Sequence, residues 1–232
     1  GGGTAVGINA LLSRSLGEKN QDMVDKAANT GIFLALCNFV IFALIGVFFS
    51  RTFFELQAGG EQIIVDYGVD YASICLGLSI GIFSQFCFER LLQSTGRTTL
   101  AMVTQLTGAV INIIMDPILI FGYFGFPRLE VAGAAIATVT GQLVGMVVGL
   151  VMVRRTSSVT LSFRAFRPVP AILADMLRVG IPAAMVQALA TVMNLGMNLI
   201  LPLFTSAGVF ILGAYFKLQS FLFMPLYGIT NA

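Results

Sequence analysis

Thr104, Gly108, Asn112 and Asp116 recur every fourth residue, so a helix would align a hydroxyl, an amide and a carboxylate along one face. The run that carries them, 99–122, is apolar enough to sit in a bilayer. A charged Asp at mid-bilayer costs about 2.5 to 3.5 kcal/mol on insertion scales. Carboxylates in that position therefore mark ion, proton or substrate pathways. A carboxylate, an amide oxygen and a hydroxyl are hard oxygen ligands, the set suited to Na⁺ or to a shared proton.

Pro117 adds a further oxygen. Proline inside a helix removes one backbone hydrogen bond and clashes with the carbonyl four residues back, that of Ile113, which is then free to act as a ligand. On helical rise, Asp116 lies about 9 Å below Gly122 and Thr138 about 10 Å below Val131. A short connection between two such helices makes them neighbours, so Asn112, Asp116 and Thr138 can converge at one depth. The structural alternative is that Asn112 and Asp116 are interhelical glue around a proline kink.

Weaker polar positions follow the same periodicity. Ala134, Thr138 and Gln142 form a stripe continued by Gly145 and Gly149, for which packing is the simpler role. Gln187, Thr191, Asn194 and Asn198 make an uncharged polar face that could line a substrate cavity. Lys217 could join that cavity or snorkel to the interface.

Composition sets the class. The chain of 232 residues is 57% hydrophobic and 10% charged, with a mean hydropathy of +0.91, against about 25% charged residues in soluble domains. Apolar runs near 20 residues cross a bilayer, so the expected fold is an all-α, polytopic membrane bundle. A net charge of +2 gives no reason to expect a nucleic-acid partner. The three cysteines, Cys37, Cys75 and Cys87, lie in apolar runs without metal-site spacing. With no histidine, any protonation switch must use a carboxylate, and no nucleophile–base constellation suggests an enzyme.

Spanning helices are expected over 27–50, 71–92, 99–122, 131–153, 180–204 and from 208 onward, with residues 1–16 as the second half of another. Thr98 or Thr99 could cap the 99–122 helix, and Gly96 ends the one before it. Residues 51–70 mix aromatic and acidic side chains and suit an interfacial position. A short interfacial helix is expected over 171–179. Ten of the thirteen positive charges fall on one set of alternating loops, around 17–26, 93–98 and 154–178, while Arg51 and Arg128 lie on the other and Lys217 within a helix. The rich set is cytoplasmic by the positive-inside rule, which runs 99–122 from inside to outside and puts Asp116 in the outer half of the membrane.

The run ERLLQSTGRTT at 89–99, then NIIMDPILIFG at 112–122, then VAGAAIAT at 131–138 resembles the multidrug and toxic compound extrusion (MATE) family. Ser15-Leu16-Gly17, Gly180-Ile181-Pro182 and the run FMPLYG at 223–228 are similar to it as well. The resemblance implies a two-lobe protein of six plus six helices, of which this chain would be a fragment from mid helix two to mid helix eight. Residues 1–153 would be most of the N-terminal lobe without its first helix, 154–178 the cytoplasmic linker, and 179–232 the start of the C-terminal lobe. It further implies export of cationic amphipathic small molecules in exchange for Na⁺ or H⁺, with no cofactor, by a monomer in the inner membrane. Members with a first-lobe cation site use an Asn and an Asp four apart, a Thr with an adjacent Ala carbonyl, and an Asp on the first helix. Asn112, Asp116, Thr138 and Ala134 match the first four. Members with a Glu on the seventh helix find no counterpart in residues 182–191. The alternative function is a flippase or exporter of lipid-linked oligosaccharides on a related fold, which would need cavity cations where this chain offers Lys217.

Overall fold

The structure is a computed structural model that describes residues 2–57, 62–125, 127–156, 159, 169–201 and 208–230. It is an all-helical bundle: α1 (Gly2–Gly17), α2 (Gln21–Gln57), α3 (Gln62–Gly77), α4 (Ile80–Ser94), α5 (Thr98–Phe121), α6 (Glu130–Thr156), α7 (Pro170–Ile200) and α8 (Gly208–Thr230). Helices α2, α5, α6 and α7 each contain a stretch long and apolar enough to cross a membrane. The pair α3–α4, bent by 47°, makes a fifth such span. Val47, Phe48 and Phe49 on α2 and Ile113 on α5 are exposed, as a lipid-facing surface requires in the absence of water.

Helix ends follow local chemistry. Gly96 and Gly122 both have φ of 75°, the left-handed conformation in which glycine closes a helix without a Cβ penalty. The start of α5 differs from expectation: Arg97 is its N-cap and no side chain caps it, so neither Thr98 nor Thr99 plays that part. Both are already inside the helix, where a threonine hydroxyl cannot reach forward to the exposed N–H groups.

Residues 51–70 do not form a separate interfacial stretch. Their first part extends α2 and their last part opens α3, while 58–61 lie outside the described residues. Two features keep the polar part of α2 helical and packed. Arg51 Nε donates to Glu55 Oε1 at 2.9 Å, one turn on, and Phe54 lies over Gly68 of α3, where an added Cβ would come within 2.6 Å of its ring. The antiparallel register continues with the Ser50 and Ser73 hydroxyls 3.3 Å apart and with Gly46 against Leu76. The expected single helix 71–92 is broken between α3 and α4, where the Ser79 hydroxyl donates to the Leu76 carbonyl at 2.7 Å. That local bond competes with helix continuation.

The expected short helix 171–179 and the separate helix from 180 are one element, α7, which passes through Pro182. Pro170 begins it, at a position where a missing N–H costs nothing. Of the expected linker, 157–158 and 160–168 lie outside the described residues, as does the side chain of Asn198.

Packing is densest at one end. Leu12 of α1, Val24 and Ala28 of α2, Leu91 and Leu92 of α4, Val153 of α6 and Met176 of α7 form a buried cluster. Small residues let the backbones meet elsewhere: a Cβ on Gly3 would lie 2.4 Å from the Gly180 carbonyl oxygen, and one on Gly7 would lie 2.2 Å from that of Met176. These contacts dock α1 antiparallel on α7.

Candidate functional site

Helices α5 and α6 form an antiparallel hairpin whose closeness is written in glycines. A Cβ on Gly133 would lie 2.5 Å from the Leu119 carbonyl oxygen, and one on Gly141 would lie 2.6 Å from that of Gly108. Backbones this close bring short polar side chains into direct reach. Asn112 and Thr138 lie between these two contacts.

The Asn112 amide bridges the helices. Its oxygen accepts from the Thr138 hydroxyl at 3.3 Å and from the Thr138 backbone N–H at 3.1 Å, and its nitrogen donates to Asp116 Oδ2 at 3.2 Å. The opposite amide orientation would set oxygen against carboxylate and N–H against N–H, so the surrounding donors and acceptors fix it. Asp116 Oδ1 is buried, with no hydrogen-bond partner among the described residues. A buried acceptor without a donor is costly.

A third helix completes the cluster. Tyr71 on α3, 39% exposed, lies close to the Thr138 hydroxyl and the Cys75 thiol and near enough to Asp116 to feel its charge. Sequence reasoning missed it, because a tyrosine near the end of an apolar run reads as an interface anchor. Its position one turn before Cys75, facing α6, becomes visible when the α3–α6 packing is known.

Ala134 lies one turn before Thr138 on α6. The structure thus brings together Asn112, Asp116 and Thr138, with Ala134 on the adjoining turn. The other candidate residues lie apart from them. Gln187, Thr191 and Asn194 are on α7, which packs chiefly on α1. The Thr191 hydroxyl donates to the Gln187 carbonyl at 3.2 Å, and Gln187 reaches Gly2. Lys217 is exposed on α8.

At the hairpin crossing, a cavity of about 210 Å³ is lined by Gln85, Gln105, Gly108, Ala109, Asn112, Thr138, Gly141 and Gln142. Its walls are amides, one hydroxyl and small residues. A family model described as MatE matches residues 1–118, half of the chain.

The chain belongs to the MATE family.

Its relatives agree in kind. The multidrug export protein MepA of Staphylococcus haemolyticus is 28% identical over 228 residues, which are 97% of this chain and 49% of that protein. Among solved structures, an inward-facing multidrug resistance MATE family transporter of the MOP superfamily is 27% identical, with a TM-score of 0.71 over 78% of this chain and 40% of its own. An outward-facing one matches in fold with a TM-score of 0.86 at 23% identity, over 99% of this chain and 51% of its own. The chain spans about half the length of the curated relatives it matches. The helical membrane bundle inferred from composition is therefore the MATE fold, and Asn112, Asp116, Thr138 and Tyr71 form a polar cluster inside it.

Proposed function

We propose that the chain is the larger part of the N-terminal lobe, the linker and the start of the C-terminal lobe of a MATE antiporter that exports cationic amphipathic molecules against Na⁺ or H⁺. The coupling ion binds at Asp116. The observation that carries this reading is the buried Asp116 Oδ1 without a donor, beside the oxygens of Asn112 and Thr138. A buried acceptor without a donor is a place that a proton or a hard cation would satisfy.

The donor set fits. Asp116 supplies charge and Asn112 and Thr138 supply neutral oxygens, a combination suited to Na⁺, while a proton needs Asp116 alone. By helical register, the carbonyl of Ala134 and that of Ile113, one turn below Pro117, are the candidate backbone oxygens. At about 4 Å, one cation and one carboxylate attract by about 4 kcal/mol at an effective dielectric of 20. Each 1.4 kcal/mol is worth about tenfold in a conformational equilibrium, so a single ion is enough to change which state dominates. On the positive-inside reading, the ion enters Asp116 from the outer half of an inner membrane and biases the N-terminal lobe towards substrate release.

Asp116→Asn in the complete transporter tests this. In proteoliposomes with an imposed Na⁺ or H⁺ gradient, ethidium export by the variant should fall to the gradient-free rate, with the protein still folded in the membrane. The gradient that drives the unaltered protein identifies the ion. Undiminished export by Asp116→Asn overturns the assignment.

A further inference from the structure

A second carboxylate lies deep in the bundle. Glu89 on α4 is 1% exposed. Gln85 Nε2 donates to its Oε1 at 2.9 Å and Gln105 Nε2 of α5 to its Oε2 at 3.0 Å. Among the described residues, none of the ion pairs includes it. The charged group that acts on it is Arg90, whose guanidinium is turned along its own helix to donate to Gln93 Oε1 at 2.6 Å. A carboxylate buried this completely, held by two neutral amides, is an expensive way to link two helices, since a hydrophobic pair of similar size would pack at lower cost.

Both amides face the cavity that contains Asn112 and Thr138. Gly145 of α6 makes room for one of them: an added Cβ would lie 2.7 Å from Gln85 Oε1. Gln105 and Asp116 are eleven residues apart on α5, about 16 Å along the helix. The cavity stops one amide short of each carboxylate: Asn112 stands between it and Asp116, and Gln85 and Gln105 between it and Glu89, while Thr138 and Gln142 complete a neutral lining able to hydrogen-bond. A volume of about 210 Å³ holds several waters at about 30 Å³ each.

We propose that Glu89 is a second station for the coupling cation, reached from Asp116 through the cavity between Asn112 and the Gln85–Gln105 pair. The proposal rests on Asp116 being the first station. Glutamine is suited to the task because its amide serves both charge states. The N–H groups donate to the carboxylate, and after a half-turn of the amide the oxygen accepts from the protonated acid or coordinates Na⁺. For a proton, the side chains of Asn112 and of Gln85 or Gln105 swing aside to admit cavity water to the two carboxylates; the O–H bond at Asp116 breaks, the water relays the proton, and an O–H bond forms on Glu89, leaving Asp116 as the anion ready for the next ion. On the positive-inside orientation, Glu89 stands near the cytoplasmic end, where the ion leaves.

Glu89→Gln in the complete transporter is the test, since a third amide keeps the volume and removes the charge. Infrared difference spectra between low and high pH should lose one carboxylic-acid band, or a sodium titration should lose one of two binding steps if Na⁺ is the ion. Gradient-driven ethidium export should fall by about a hundredfold, the scale of a lost proton-transfer partner, with ethidium binding retained. Gln105→Met, which keeps the acid and removes one donor, should shift the midpoint of the Glu89 band or of the second sodium step. Unchanged spectra, sodium binding and export in Glu89→Gln overturn the proposal, as does an unmoved midpoint in Gln105→Met. Asp116→Asn run in parallel separates the two claims. Export lost there but intact in Glu89→Gln removes the second station alone, whereas export intact in Asp116→Asn removes the first station on which both rest.

Discussion

Gly108 and Gly141 meet backbone to backbone where α5 crosses α6. A Cβ added to Gly108 would lie 2.9 Å from the Gly141 oxygen, and one added to Gly141 would lie 2.6 Å from the Gly108 oxygen and 3.3 Å from the Asn112 Cβ. The contact sets the separation at which the Asn112 amide spans from Asp116 to Thr138. Gly141→Ala should therefore do two things. Overpacking a close crossing costs about 1 to 3 kcal/mol, read as a lower thermal midpoint in detergent. The parted helices should also weaken binding of the coupling ion. Gly77→Ala is the matched control, because an added Cβ there meets nothing within 4 Å. Equal behaviour of the two variants would show that the crossing does not hold the cluster.

Asn112 has the most demanding position, since it satisfies Thr138 and Asp116 at once. Asn112→Leu keeps the approximate size and removes both bonds. Leaving a buried polar group without its partner costs about 1 to 3 kcal/mol. Part of that should appear as weaker ion binding, read from the midpoint of a sodium or pH titration of ethidium export. Thr138→Val removes one hydroxyl and should move the same midpoint by less. A larger effect from Thr138→Val than from Asn112→Leu would displace Asn112 from the centre of the cluster.

Pro117 lies inside α5 without ending it. Proline in a helix interior is about 3 kcal/mol less favourable than alanine. Pro117→Ala restores the N–H that can bond the Ile113 carbonyl, so the variant should unfold at a higher temperature. If that carbonyl serves the ion, affinity should fall as stability rises. Measured together, a thermal midpoint and a sodium or proton titration that both increase would reject the role of Ile113.

How much of this was legible in the sequence differs from residue to residue. The face that carries Asn112 and Asp116 follows from helical period alone, and the approach of Thr138 follows from a short connection and equal depth. The two helices that meet there needed no other information. Glu89 was invisible as a site for a physical reason. It sits beside Arg90 at the end of an apolar run, where charges ordinarily reach the interface, and its burial depends on α1, α2, α5 and α6 closing around α4. Tyr71 was hidden similarly, since its partner Thr138 lies on a helix far along the chain. Residues 51–70 misled because their acids suggest an interface, whereas Gly68 under Phe54 and the Arg51–Glu55 pair keep them within two long helices. The motif Gly180-Ile181-Pro182 suggested a helix start, yet Pro182 is accommodated inside α7, where α1 packs its glycines against the same turn.

That packing gives the last prediction. On the two-lobe reading, α1 belongs to the first lobe and α7 carries the chain from the end of the linker into the second, so the α1–α7 seam is where the lobes of the proposed transporter would part. Gly7 makes the tightest backbone contact across it, with an added Cβ only 2.2 Å from the Met176 carbonyl oxygen, whereas Gly17 at the end of the same helix meets nothing within 4 Å. A larger side chain at Gly7 should wedge the seam open, and because the two sides belong to bodies that can move apart, the strain should be relieved by separation and not by unfolding. With Cys37, Cys75 and Cys87 replaced by serine or alanine, spin labels on the exposed positions Ser13 and Ala171 report the gap. Gly7→Leu should shift their distance distribution to longer values with little change in thermal midpoint, and Gly17→Leu should leave it in place. If Gly7→Leu instead lowers the thermal midpoint as Gly141→Ala does, with the label distances unmoved, α1 and α7 are parts of one rigid body and the lobe boundary lies beyond α7.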